Sequence, residues 1–65
     1  MVHMTIQIPD PITVKELAEA LGQRPFRLVA DLMKLGQMKF EGDQVEFDMA
    51  SRIAQKYGFE TKRKG

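Results

Sequence analysis

The sequence predicts an α+β fold in which three short helices pack with a small β-hairpin and one or two very short extra strands. The predicted order is helix-turn-helix, hairpin, helix. Apolar residues recur at helical spacing over 14–21, 25–35 and 49–57. Over 38–47 they alternate with polar residues, which is the period of a strand. Glycines at 22, 36 and 58 follow the three helical segments, where a C-terminal cap is expected.

The first helix is predicted to begin at a capping box. Thr13 and Glu16 have the T-x-x-E spacing in which each side chain satisfies a free backbone amide of the other. Gly22 ends the helix because glycine adopts the left-handed conformation without a Cβ clash. The apolar residues at i, i+3, i+4 and i+7 form one stripe, which predicts burial of Val14, Leu17, Ala18 and Leu21.

The second helix is predicted over 25–35, with proline at its first position and Gly36 after its end. Its apolar set is wide, which predicts a central helix packed on two sides by Leu28, Val29, Leu32, Met33 and Leu35, with Phe26 beside them. The residues predicted to face solvent are Arg24, Arg27, Asp31 and Lys34. Asp31 is spaced to pair with Arg27 and with Lys34 along the helix.

Residues 38–47 are predicted to form a hairpin around Gly42-Asp43, because a glycine-led two-residue turn suits type II′ geometry. This register places Phe40 opposite Val45 and Met38 opposite Phe47. The five methionines are interpreted as core filling, with Met33, Met38 and Met49 at inward positions.

Asp48 is predicted to cap the third helix, which ends at Gly58. The helical spacing predicts inward positions for Met49, Ala50, Ile53, Ala54 and Tyr57. Phe59 and Glu60 are predicted to add one short strand.

The chain is divided into a lead-in at 1–11, a folded domain at 12–60 and a basic tail or linker start at 61–65. The lead-in is expected to be flexible or extended, since prolines at 9 and 11 flank Asp10. Its Met-Val-His-Met start is either natural sequence or an added leader. His3 has no nearby histidine, cysteine or carboxylate pair, so it is expected to be a tail residue rather than a metal ligand.

The charge is unevenly distributed along the chain. Net charge is +1 from ten basic and nine acidic residues, but Lys62, Arg63 and Lys64 lie at the end. Without those three, seven basic against nine acidic residues leave the body at −2. A free-standing DNA-binding domain usually has a basic face and a pI above about 9, whereas this chain has a pI of 8.1.

Composition and motifs argue against several classes of protein. The sequence has no cysteine and only short apolar runs, which predicts a cytoplasmic protein without a membrane span. It has no phosphate loop, dinucleotide fingerprint, nucleophile elbow or H-E-x-x-H motif, and one histidine. We therefore expect no enzymatic activity, no cofactor and no metal.

Taken together, the elements resemble the small N-terminal domain of bacterial translation initiation factor 2. The resemblance covers about residues 12–60. It rests on ITVKELA at 12–18 with Leu21-Gly22, on LMKLGQM at 32–38, and on Phe47-Asp48 followed by Ala50, Ile53-Ala54 and Tyr57-Gly58-Phe59-Glu60. The sequence departs from the family's usual pattern at Arg24-Pro25-Phe26 and at the acidic Glu41-Gly42-Asp43.

The resemblance implies a fold similar to the stem-contact domains of some aminoacyl-tRNA synthetases. It also implies an accessory role in which the module helps the factor engage the ribosome, while GTPase and initiator-tRNA binding belong to later domains. The implied partners are the small ribosomal subunit or RNA, with other domains of the same factor a further choice, and the module is expected to be monomeric. The predicted contacts are Arg24, Arg27, Lys34, Lys62, Arg63 and Lys64, although solubilising charge explains any one of them equally well.

Two alternatives stay open at the level of sequence. One is a winged helix-turn-helix that binds DNA through the helix at 25–35 and the hairpin at 38–47. The acidic hairpin tip, the net −2 of the body and the lack of base-reading side chains count against it. The other is a protein-docking domain that contacts no nucleic acid.

Overall fold

Two small sheets and three helices make up the part of the chain, residues 4–64, that the computed structural model describes. The elements in order are β1 (Met4–Ile8), β2 (Ile12–Thr13), α1 (Val14–Leu21), α2 (Pro25–Lys34), β3 (Gln44–Val45), α3 (Phe47–Lys56) and β4 (Phe59–Arg63). β1 pairs with β4 in parallel, and β2 pairs with β3 antiparallel. The predicted α+β class with three short helices is confirmed. The prediction for His3 lies outside the described residues.

One hydrophobic core joins the helices to both sheets. The helical stripes supply most of it, and each sheet adds buried aliphatic side chains. The buried apolar residues are Ile8, Ile12, Val14, Leu17, Ala18, Leu21, Leu28, Leu32, Val45, Ala50, Ile53 and Ala54. Ile6, Val29, Phe47, Met49, Tyr57 and Phe59 pack against this core with partial exposure.

The predicted capping box of α1 is confirmed. The Glu16 amide donates to Thr13 Oγ1 at 3.1 Å, and the Thr13 amide donates to Glu16 Oε1 at 3.3 Å. At the other end Gly22 takes φ 69°, a left-handed conformation that glycine adopts most easily. All four residues of the predicted stripe are buried.

Removal of the cap should destabilise the domain measurably. Thr13→Ala deletes the oxygen that accepts the Glu16 amide, so the free energy of unfolding should fall by about 1 kcal/mol. Urea denaturation followed by circular dichroism measures the change. Thr13→Ser keeps the hydroxyl and should stay near the parent value; an equal loss in both variants would contradict the capping role.

α2 begins at Pro25 as predicted and ends at Lys34, with Leu35 as its C-cap and Gly36 at φ 83°. α2 contacts both α1 and α3, but its predicted apolar set is only partly buried. Leu28 and Leu32 are buried, but Phe26 is 66% exposed and Met33 is 52% exposed. The predicted inward position of Met33 is therefore wrong, and the side of α2 with Phe26 and Met33 faces solvent.

The predicted hairpin at 38–47 is also wrong. Val45 pairs with Ile12 of β2 instead of Phe40, and Met38 and Phe40 are exposed. The Phe40 amide donates to Asp43 Oδ2 at 2.8 Å within a turn. The carbonyls of Glu41 and Asp43 accept the amides of Lys15 and Val14, both at 3.0 Å. The carbonyls of this loop therefore accept hydrogen bonds from amides at the start of α1 that have no partner within the helix.

α3 begins one residue before the predicted cap. Its N-cap is Glu46, which makes no side-chain cap bond, and Asp48 lies in the first turn. The amide of Phe47 donates instead to Asp10 Oδ1 at 3.1 Å. A carboxylate from the β1–β2 connection thus satisfies this amide, which local sequence does not reveal.

Strands occupy most of the described residues that flank the predicted domain of 12–60. Met4–Ile8 form β1 where a flexible or extended lead-in was predicted, and Thr61, Lys62 and Arg63 belong to β4, within the segment predicted as a basic tail or linker start. Met4 pairs with Phe59 and Ile8 with Arg63, and the Lys64 amide donates to the Ile8 carbonyl at 2.8 Å. Burial of Ile8 against the core accounts for the pairing of these strands.

Candidate partner-binding surface

A groove of about 300 Å³ separates the C-terminal part of α2 from α3. We call it the α2–α3 groove, and its lining residues are Asp31, Lys34, Leu35, Arg52, Ile53 and Lys56. On α2 they lie at i, i+3 and i+4, and on α3 at i, i+1 and i+4, so each helix presents one face to the groove. Most of the exposed surface of the groove is apolar, and its charged groups are three cations and one carboxylate.

Asp31 is the buried charged residue of this region, with only 7% of its surface exposed. Its carboxylate forms an ion pair with Lys56 through Oδ1 and accepts the Tyr57 hydroxyl through Oδ2 at 2.5 Å. The predicted pairing of Asp31 with Arg27 and Lys34 on the solvent side of α2 is therefore wrong. Asp31 instead connects α2 to the end of α3.

The pKa directions follow from these contacts. Burial pushes the pKa of Asp31 upward, but the hydrogen bonds from Lys56 and Tyr57 outweigh it and leave the pKa below its usual value. The hydrogen bond to Asp31 raises the pKa of Lys56. Burial and then the hydrogen bond to Asp31 raise the pKa of Tyr57. Asp31 is thus held ionised, while Lys56 is held protonated and Tyr57 neutral.

Comparison with known proteins places this fold in a family. The family described as "Translation initiation factor IF-2, N-terminal region" matches residues 9–60, most of the chain. The chain belongs to this family. The predicted resemblance to the N-terminal domain of initiation factor 2 is confirmed, and the matched region is the N-terminal region of IF-2, whose members are translation initiation factors.

Curated relatives agree with this membership. Translation initiation factor IF-2 of Brucella anthropi is 41% identical over 58 residues, which cover 89% of this chain and 6% of that relative. The IF-2 proteins of Brucella ovis and Brucella canis are 40% identical over 58 residues, with the same coverage. The chain therefore spans about 6% of the length of these IF-2 relatives.

Two of the predicted contact residues lie beside the α2–α3 groove of this IF-2 region. Lys34 lines it, and Arg27 is one helical turn before Asp31, close enough for its charge to act on Lys56. Arg24 is exposed just before α2 begins. Since it precedes Asp31 by seven residues, about 10 Å of helix separates it from the groove.

The predicted contacts in the C-terminal part of the IF-2 region have a different setting, because they belong to or follow β4. Arg63 Nε lies 3.1 Å from Asp10 Oδ2, and its guanidinium lies 4.7 Å from the centre of the Phe47 ring. These contacts tie the end of β4 to α3 and to the β1–β2 connection, so Arg63 has a structural role. Lys62 and Lys64 are exposed. Lys34 and Arg63 therefore have different settings, one in the groove and the other at the end of β4.

Arg52 and Lys56 also line the groove, although neither was predicted as a contact. Their i, i+4 spacing on the polar face of α3 is visible in the sequence, but it is also typical of an ordinary solvated face. Only the packing of α3 beside α2 places them near Lys34.

The acidic loop of this IF-2 region borders a second, more polar depression. Its lining residues are Asp10, Pro11, Lys39, Gly42, Asp43, Gln44 and Glu46. Three carboxylates there disfavour phosphate. Within residues 4–64 no group of three or more histidine, cysteine or acidic residues is arranged to hold a metal ion, and no helix is long and apolar enough to cross a membrane.

Proposed function

We propose that this region is a non-catalytic accessory module of IF-2 that helps the factor engage the small ribosomal subunit, or its RNA, in the cytoplasm. Family membership supports the link to initiation. The observation that carries the proposal is the exposed positive charge of Arg24 and Arg27 at the start of α2. The body as a whole is slightly acidic, so this positive face is local rather than a consequence of composition.

The DNA-binding alternative is weakened by the fold. A winged helix-turn-helix needs a hairpin after its recognition helix. In the described part of the chain, residues 37–43 instead form a loop whose carbonyls serve the start of α1. The acidic side chains of that loop would also face DNA phosphates unfavourably.

Charge reversal on α2 tests the proposal. The variant Arg24→Glu/Arg27→Glu should bind the small ribosomal subunit about twofold to thirtyfold more weakly, since each exposed ion pair contributes about 0.2–1 kcal/mol. Sedimentation binding at several salt concentrations measures this, and the loss should shrink as salt rises.

Lys15→Glu/Lys39→Glu is the matched control, because it changes net charge equally at positions away from the α2–α3 groove. Its binding should fall less. Equal weakening of both variants would indicate a general charge effect, and unchanged binding of the α2 variant would remove Arg24 and Arg27 from the interface.

A further inference from the structure

We propose that the α2–α3 groove docks an acidic amphipathic helix of a protein, which inserts an apolar side chain between Leu35 and Ile53 and pairs carboxylates with the cationic rim. This goes beyond ribosome engagement, because it assigns a protein ligand to one surface.

The floor of the groove is aliphatic and partly accessible. Leu35 is 44% exposed at the C-cap of α2, and the buried Ile53 lies in the groove wall on α3. The volume of about 300 Å³ is at the lower end for ligand sites, which suits one or two anchoring side chains better than an enzyme substrate.

The rim has positive charge that is free to pair. Lys34 and Arg52 form no ion pair with any residue in 4–64. The Asp31 carboxylate is already engaged by Lys56 and Tyr57, so it offers little repulsion to an incoming anion. Three cations against one carboxylate leave the groove at +2.

The spacing of the cations fits a helical ligand. Arg52 and Lys56 are four residues apart on α3, a rise of about 6 Å, and Lys56, although paired with Asp31, keeps about half of its side chain exposed to a ligand. A ligand helix alongside α3 presents carboxylates at i and i+4 with the same rise, and an apolar residue between them on the groove side.

An aliphatic floor favours protein over RNA as the ligand. Single-stranded RNA is bound mainly by side chains on which the bases stack, chiefly aromatic rings and also arginine, and Arg52 is the single arginine of the lining. The groove lining contains no aromatic residue. Its complement is an apolar anchor flanked by carboxylates.

The test uses a synthetic helical peptide of about 15 residues, long enough for partial helicity, with leucines on one face and glutamates beside them. Calorimetry measures affinity, and amide shifts locate the site. We expect saturable binding, with shifts confined to the C-terminal half of α2 and to α3. Two control peptides, one with glutamine for glutamate and one with serine for leucine, should each bind at least about tenfold more weakly.

Groove variants provide the second arm. Lys34→Glu/Arg52→Glu and Leu35→Ser should each reduce peptide affinity by about tenfold, whereas Lys15→Glu/Lys39→Glu should not. Leu35 is exposed at a helix end, so its replacement should leave the fold intact, and thermal unfolding verifies this.

Absence of peptide binding at millimolar concentration, or equal binding of the glutamine peptide, would overturn the proposal. So would a uridine oligonucleotide that binds the groove in preference to the peptide, since RNA would then be the ligand. Failure here leaves the ribosome assay with Arg24 and Arg27 unaffected, so the two proposals fail separately.

Discussion

Leu28→Ala should strongly lower the free energy of unfolding of the domain. The Leu28 side chain is fully buried in the core, where truncation of leucine to alanine costs about 2–5 kcal/mol. At roughly 0.05–0.15 kcal/mol per residue, a domain of this size has only about 3–10 kcal/mol of stability. The cavity therefore removes from about a fifth to all of that stability.

Urea denaturation and amide spectra measure this effect. Leu28→Met conserves volume and should cost less than about 1.5 kcal/mol. Leu35→Ala, at an exposed position on the same segment, should stay within about 0.5 kcal/mol. A loss below 1 kcal/mol for Leu28→Ala would contradict the burial of Leu28 between α2 and the rest of the core.

Asp31→Asn should have the second largest effect, a loss of about 1–3 kcal/mol in the free energy of unfolding at neutral pH. The substitution keeps the size of the side chain but removes the charge that Lys56 and Tyr57 contact. Lys56 is about half exposed and recovers hydration, so we expect the loss toward the lower end.

The pH dependence gives this prediction a specific sign. Because the folded-state pKa of Asp31 is lowered, its contribution is present above the unfolded value of about 4 and is lost as pH falls through the folded pKa. The pKa values of Lys56 and Tyr57 are raised, so their contributions are lost only as pH rises above about 10. The difference between parent and Asp31→Asn should thus be flat near neutrality and shrink in acid.

Unfolding free energies measured from pH 2 to 8 test this. In Glu19→Gln, at an exposed position of α1, the free energy of unfolding should fall at acid pH in the same way as in the parent. A difference between parent and Asp31→Asn that persists unchanged at pH 2 would show that charge on Asp31 is not its cause.

Local signals in the sequence were sufficient for the helices. The Thr13–Glu16 box, Pro25 at the start of α2 and the glycine after α1 each act within four residues, and each is present in the structure. The family was also predictable, because its motifs lie within these local elements.

The strands were not predictable in the same way. The alternation at 38–47 satisfies a hairpin pattern, yet Val45 gains more by pairing with Ile12 beside the core. Prolines and polar residues made the N-terminal segment resemble a flexible lead-in. β1 exists because β4 returns from the opposite end of the chain to pair with it.

The residues of the candidate surface also differ in whether they were predictable from the sequence. Lys34 and Arg27 were predicted because they lie on the polar side of one helix. Arg52 and Lys56 joined them only through the packing of α3 beside α2. Asp31 was assigned to solvent because its intrahelical partners were visible and its true partners on α3 were not.

The sequence by itself determined the helices, the caps of α1, the α+β class and the family, since these depend on periodicity and on hydrogen bonds between near neighbours. The tertiary structure alone decided the strand pairing, the burial of Asp31 and the composition of the α2–α3 groove. The physical reason is that each of these depends on residues far apart in the chain, whose choice among partners is made by the burial of the shared core.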